Sequence, residues 1–268
     1  MQLGVIGGGT MGEAMLAAIV NKGLNTAGEI CVSDTDEDRR QYLEQTYAVR
    51  VTADNRQVAD ESKMIILAIK PQNLADVMAT LFGRIEPTKL VLSIIAGANV
   101  NTLRLGLNHR RIVRCMPNTP AQIGQGMSVW TATPEATEPQ KKKVRSILSA
   151  MGQEMYVDDE KYLDMATAIS GSGPAYFFLF AEALIEASVR IGIPRDNAGE
   201  LVRQTMMGAA QLIEQSGRTP AELRKMVTSP GGTTAEALLQ MEKGDFNKLV
   251  LQAVQAAYNK AKELGKHA

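Results

Sequence analysis

The stretch that most limits what this chain can fold into is "GVIGGGTMGEAM", residues 4–15. An apolar, strand-like run enters glycines at positions 7, 9 and 12, and a helical pattern follows at once. In a strand–turn–helix unit each glycine has a separate task. Gly7 permits the tight turn, Gly9 lets the backbone approach a pyrophosphate, and Gly12 lets helix and strand pack closely, with the anion resting on N–H groups at the helix start. A tight structural turn would also tolerate glycines here. Position at the first strand of a βαβ run favours a dinucleotide.

That βαβ run continues for more than half of the chain. Short apolar segments, "LGVI", "EICVSD", "MIILAI", "LVLSII", "RIVRCM", "MSVW" and "EMYV", alternate with amphipathic stretches through about residue 157, the pattern of a mostly parallel sheet. Beyond it the β-branched runs vanish and Ala, Leu, Met and Glu dominate. Pro174 reads as a first helical residue, Thr219-Pro220-Ala221-Glu222 as a capping box, and Asp245 as the cap of a last helix ending near Gly265. The expected fold is therefore α/β: a doubly wound, mostly parallel, Rossmann-type sheet over residues 1–158, then an all-helical domain over 159–268. The stretch "AYFFLFAEALIEASVRI", 175–191, is apolar around most of its circumference, and "LVLQAVQAAYNKA" adds a second apolar face. Such faces suit a helical core and a subunit interface.

Composition narrows the partners. Lys plus Arg equals Asp plus Glu at 29 each, without a basic cluster, so nucleic-acid binding is not expected. Cys31 and Cys115 lie in apolar, strand-like contexts without metal-ligand spacing, which suits buried thiols in a reducing cytoplasm and argues against a metal. No signal peptide is expected, because Met1 runs straight into an apolar strand pattern with no charged leader, and no membrane span, because Glu182 and Glu186 interrupt the most apolar stretch.

The cofactor edge is then traced along the strand ends. In "VSDTDEDRR", Asp34 could take the ribose hydroxyls of NAD, whereas Ser33 with Arg39 or Arg40 could accept the 2′-phosphate of NADP; the sequence leaves both open. "LAIKPQ" puts Lys70 and Pro71 at the carboxyl end of an apolar strand, where ligands of open α/β sheets sit, although a lysine there is commonly only solvated. "SIIAG" at 93–97 and "CMPNTPAQIG" at 115–124 finish later strands. Pro117 and Pro120 bracket Asn118 and Thr119 in a stiff turn, suited to the nicotinamide end or to a rigid crossover.

The helical half lacks the usual acid/base of an alcohol dehydrogenase. His109 sits in a polar loop and His267 near the C-terminal end, and no lysine occurs between Lys161 and Lys225. A substrate that arrives activated removes the need: a protonated C=N accepts hydride at carbon once positioned beside a docked counter-charge and a hydroxyl. "SPGGTTAEALLQ", 229–240, carries the local chemistry of an anion-binding loop, a glycine pair and two threonines entering a helix-like run without the lysine of a phosphate loop. Its backbone suits a small anion.

In series, "VIGGGTMG", "AIKPQ", "RCMPNTPA", "SGSGPAY" and "SPGGTT" resemble pyrroline-5-carboxylate reductase in the same order across essentially the whole chain. The resemblance implies reduction of L-1-pyrroline-5-carboxylate to L-proline, the last step of proline synthesis, with NADP(H) or NAD(H) and no metal. It also implies a cytoplasmic homodimer, open to assembly into a larger ring. Carried over by position, it implies a cofactor site at Ile6, Gly7, Gly8, Gly9, Thr10, Met11 and Gly12, with Ser33, Asp34, Asn55, Ala68, Ile69, Lys70 and Pro71. On the substrate side it implies Ser229, Gly231, Gly232 and Thr233 for the carboxylate, and the Thr234 hydroxyl beside the ring nitrogen. Asp34 departs from the uncharged residue common at that position, which works against a 2′-phosphate. Two other readings stand beside this one: a β-hydroxyacid dehydrogenase, which the missing lysine disfavours, and a dinucleotide-binding sensor without activity.

Overall fold

The computed structural model describes residues 2–267, with Lys266 and His267 described by their backbone alone. Chain packing divides into two compact units: residues up to Ser172 together with those from Ala256 onward, and Gly173–Gln255.

The first unit is built on an eight-stranded sheet. Its strands are β1 (Leu3–Ile6), β2 (Ile30–Ser33), β3 (Arg50–Thr52), β4 (Met64–Leu67), β5 (Leu90–Ser93), β6 (Ile112–Met116), β7 (Gly126–Ala132) and β8 (Gly152–Tyr156), in the order β3-β2-β1-β4-β5-β6-β7-β8. All neighbours are parallel except β6 and β7, which run antiparallel. The helices of this unit are α1 (Thr10–Asn21), α2 (Glu37–Tyr47), α3 (Asn55–Glu61), α4 (Leu74–Leu81), α5 (Val100–Leu107), α6 (Glu138–Ala150) and α7 (Lys161–Ala166). Strand β3 escaped the sequence reading because "RVT" is short and only partly buried.

Period-two alternation sorts the strand residues into two cores. Leu3, Val5, Val32, Ile66 and Leu92 point to one face with Met15, Leu16 and Ile19 of α1 and Val144, Ile147 and Leu148 of α6. Ile6, Cys31, Ile65, Leu67 and Val91 point to the other, with Val58 of α3, Val77 and Leu81 of α4, and Leu103 and Leu107 of α5. The sheet is thus doubly wound, as expected. After β3 the chain returns across β1 to form β4, so the order reverses between β1 and β4. Ligands of open α/β sheets bind at the carboxyl ends of strands at such a reversal.

Beyond α7 the chain makes one π turn, Thr167–Gly171, closed by a hydrogen bond from Ser172 N–H to Thr167 O at 2.8 Å. The second unit then holds α8 (Gly173–Arg190), α9 (Arg195–Ser216), α10 (Pro220–Met226), α11 (Thr233–Lys243) and the first part of α12 (Phe246–His267). Thr219 and Glu222 form the expected capping box. Pro174 is the second rather than the first residue of its helix, and Asp245, at φ 53°, immediately precedes α12. Among the described residues of this unit only Gly173, Ala198, Val202 and Leu223 are buried. Phe177, Phe178, Leu179, Leu249 and Leu251 are each more than 60% exposed in the single chain. The stretch Lys161–Arg190 is long and apolar enough, by length and composition alone, to cross a membrane.

Candidate active site

The glycine loop takes the geometry that its spacing predicts. It leaves β1 tied on both sides, with Gly7 N–H donating to Ser33 O and Ala68 N–H donating to Ile6 O, each at 2.8 Å. Gly7 has φ 99°, and a Cβ there would lie 2.7 Å from Ala68 O; at Gly12 it would lie 2.1 Å from Gly7 O, so helix and strand touch through backbone. Gly9 differs, since a Cβ there would meet nothing within 4 Å, and no side chain caps the first turn of α1 behind it. A helix start facing open space at the sheet's reversal point fits a pyrophosphate.

Both polar groups of Gly8 are held by α2 and the segment leading into it. Its N–H donates to Asp34 Oδ2 at 2.7 Å, and its carbonyl accepts from Arg39 Nε at 2.5 Å. The Arg39 guanidinium pairs with Glu13 of α1 and lies over the Tyr42 ring, 4.9 Å from its centroid. Glu13 also accepts from the hydroxyls of Tyr42 (3.0 Å) and Tyr47 (2.9 Å). Partial burial works to raise the Glu13 carboxyl, but these donors outweigh it and hold it below the ordinary range. Tyr47 is pushed up to about 12, by burial and then by its bond to Glu13. Arg40 donates to the carbonyls of Asp34 (2.8 Å) and Thr35 (3.1 Å). Ser33 is fully buried, and its hydroxyl donates to Asn55 Oδ1 at 2.7 Å, so its reach toward a ligand passes through Asn55.

Ala68–Pro71 closes the other side of the loop. A Cβ on Gly7 would come 3.0 Å from Ile69 Cγ2, while Lys70 and Pro71 are exposed, with Pro71 opening a short 3-10 turn. Ile6, Gly7–Gly12, Ser33, Asp34, Asn55 and Ala68–Pro71 therefore gather at one edge of the sheet. Asn118 is used internally, donating to Ser170 O (3.0 Å) and accepting from Met127 N–H (2.8 Å), as a rigid crossover requires.

In the second unit, Ser229–Thr234 enters α11 through a turn in which Gly231 has φ 68° and Gly232 N–H donates to Ser229 O at 3.0 Å. A Cβ on Gly232 would lie 2.7 Å from Ser229 Oγ. No side chain caps α11, which begins at Thr233 with Gly232 as its cap residue. The first-turn N–H groups of α11 are thus left without a side-chain cap, and Thr234 lies in that turn.

Sequence reasoning missed the Glu13 cluster, because nothing in a single sequence says that the start of α1 faces Tyr42 and Tyr47 of α2. It also missed Arg114, a buried side chain of β6 that pairs with Glu160 (2.8 Å) and Asp164 (2.9 Å). Cys31 and Cys115 are buried free thiols, both pushed up by burial. Among the described residues no group of three His, Cys, Asp or Glu side chains is placed to hold a metal ion.

A doubly wound sheet with this loop at its reversal point is the fold of nicotinamide-dinucleotide oxidoreductases. Residues 2–97 match a family model described as "NADP oxidoreductase coenzyme F420-dependent", and residues 160–264 match one described as "Pyrroline-5-carboxylate reductase dimerisation". A pyrroline-5-carboxylate reductase of Synechocystis sp. is 42% identical over 266 residues, covering 99% of both chains. Among solved structures, a pyrroline-5-carboxylate reductase from Coxiella burnetii superposes with a TM-score of 0.90 at 35% identity, covering 98% of each chain. A Plasmodium falciparum pyrroline carboxylate reductase with NADP bound gives 0.90 at 32%, covering 99% of this chain and 98% of its own. The chain belongs to the pyrroline-5-carboxylate reductase family.

Proposed function

We propose that the protein reduces L-1-pyrroline-5-carboxylate to L-proline, with hydride passing from NAD(P)H to the carbon of the C=N bond, as the last step of proline biosynthesis in the cytoplasm. Family membership supports the reaction. The observation that carries the cofactor half is the helix start at Gly9, open within 4 Å of a built Cβ and uncapped by any side chain. Ile6–Gly12 and Ala68–Pro71 hold the dinucleotide, with Ser33, Asp34 and Asn55 at its ribose end, and the bound dinucleotide supplies the hydride.

Ser229, Gly231, Gly232 and Thr233 hold the substrate carboxylate at the start of α11, and the Thr234 hydroxyl is directed to the ring nitrogen. A substrate that arrives as the iminium already carries its proton, so nitrogen becomes the amine of proline without a general acid in this chain. Residues 1–158 then serve as the dinucleotide-binding domain and 159–268 as the helical substrate-binding and dimerisation domain. The exposed apolar residues of α8 and α12 are covered by a second copy rather than by lipid, because Glu182 and Glu186 within α8 are costly in a bilayer. The homodimer is the unit from which a larger ring is built.

Incubation with NADH or NADPH and pyrroline-5-carboxylate, followed by nicotinamide absorbance, tests the reading. Turnover to proline is expected. Cofactor binding without turnover would turn the reading toward a sensor, and turnover of a 3-hydroxyacid with the oxidised cofactor toward a dehydrogenase.

A further inference from the structure

The two arginines offered by the sequence for a 2′-phosphate are both engaged elsewhere. Arg39 pairs with Glu13, donates to Gly8 O and stacks on Tyr42, and Arg40 donates to two backbone carbonyls. Glu13 of α1 pairs with Arg39, Asp34 follows β2 directly, Asp36 caps α2, and Glu37 and Asp38 lie in its first turn, so along the segment from the end of β2 into α2 carboxylates outnumber guanidiniums. Asp34 keeps accepting capacity beyond its bonds to Gly8 N–H and Asp36 N–H. A ribose hydroxyl can donate to such a group, whereas a phosphate dianion meets like charge.

We propose that this chain selects NADH over NADPH, and that Glu13 is a positioning residue for the choice, holding the Arg39 charge neutralised on the glycine loop. The inference rests on the dinucleotide reading above. Glu13 touches no part of the cofactor in this account. It acts through Arg39, which without that partner becomes available to a phosphate.

Calorimetric titration of the whole protein with NADH and with NADPH, in the absence of substrate, tests it. The wild type is expected to bind NADH at least about tenfold more tightly, the effect of screened like charge at short range. Glu13→Gln keeps size and an acceptor for the tyrosine hydroxyls; NADPH affinity should rise about tenfold while NADH affinity moves by less than about twofold. Adding Arg39→Met to Glu13→Gln should abolish the gain, a loss that a merely structural role of Glu13 does not explain. Asp34→Ser, an independent variant should Glu13→Gln fail to fold, should raise NADPH affinity relative to NADH. Equal or tighter binding of NADPH by the wild type overturns the inference and leaves the reductase reading standing, as does an unmoved ratio in Glu13→Gln. Failure to bind either dinucleotide overturns both.

Discussion

Adding one methyl group at Gly12 and one at Gly9 should separate folding from cofactor binding within a single loop. At Gly12 the new Cβ would lie 2.1 Å from Gly7 O, 3.2 Å from Gly7 C and 3.3 Å from Ala68 Cβ. Backbone has to retreat by roughly 0.9 Å to reach even the 3.0 Å that real Cβ contacts keep. Overpacking of this kind costs about 1–3 kcal/mol. The upper end applies, because a carbonyl, unlike a side-chain tip, cannot rotate aside. Alanine in a helix returns about 1 kcal/mol relative to glycine. Gly12→Ala should therefore lose about 2 kcal/mol, and cofactor affinity should fall with it because α1 is pushed off the loop. Gly9→Ala meets nothing within 4 Å at ordinary extended angles (φ −64°, ψ −175°). Its stability should change by no more than about 0.5 kcal/mol, yet dinucleotide binding should weaken at least about tenfold, since the methyl occupies the approach to the helix start. Denaturant midpoints at fixed protein concentration, beside calorimetric titration with NADH, read the two effects. If Gly9→Ala unfolds as readily as Gly12→Ala, or binds NADH normally, the division of labour in the loop is wrong.

Other variants probe the remaining elements. Thr234→Ala should lower turnover about tenfold to a hundredfold, the worth of one directed hydroxyl, with NADH binding intact; full activity would remove Thr234 from the site. Arg114→Met leaves Glu160 and Asp164 together without their cation. It should cost about 2 kcal/mol in denaturant unfolding, less than for a wholly buried pair, because these carboxylates are 32% and 23% exposed. His109 is buried, with Nε2–H donating to Lys89 O at 3.0 Å, and burial holds its pKa below the ordinary 6.5. The unfolded chain therefore takes up the proton first. Its contribution to stability is complete above pH 6.5 and is lost as pH falls below that value toward the folded pKa. His109→Gln should flatten the stability profile in that window, and an unchanged profile would exclude the histidine as its source.

The sheet was legible because short, largely apolar runs such as "GVI", "CVS", "MIIL" and "LVLS" recur between amphipathic stretches, the mark of parallel strands buried on both faces, and the loop because each of three glycines answers a separate demand. What stayed hidden depends on how elements meet. Glu13, Tyr42, Tyr47 and Arg39 come from two helices whose shared face has no sequence signature, so Arg39 read equally well as a phosphate ligand. Strand β3 is too short to show a period. Arg114 drew no notice inside the apolar run "RIVRCM", because its partners Glu160 and Asp164 lie some fifty residues on. "SPGGTT" was readable as an anion turn from Gly231 and Gly232 alone, but its ligand came from resemblance rather than from the turn.

The return of α12 to the first unit bears on how the chain is made. Gly97, at φ 79°, faces Leu264, to whose Cβ an added methyl would come within 2.9 Å, and Asn99 Nδ2 donates to Gly265 O at 3.0 Å across 166 residues of sequence. Translation delivers these partners only after the whole helical unit has emerged, so the ends of β5 and α5 wait, unsealed, while some 150 residues are added. Vectorial synthesis, which lets most N-terminal domains finish early, here leaves the nucleotide-binding half with an unclosed seam, the stage at which a chaperone or protease has longest access to it.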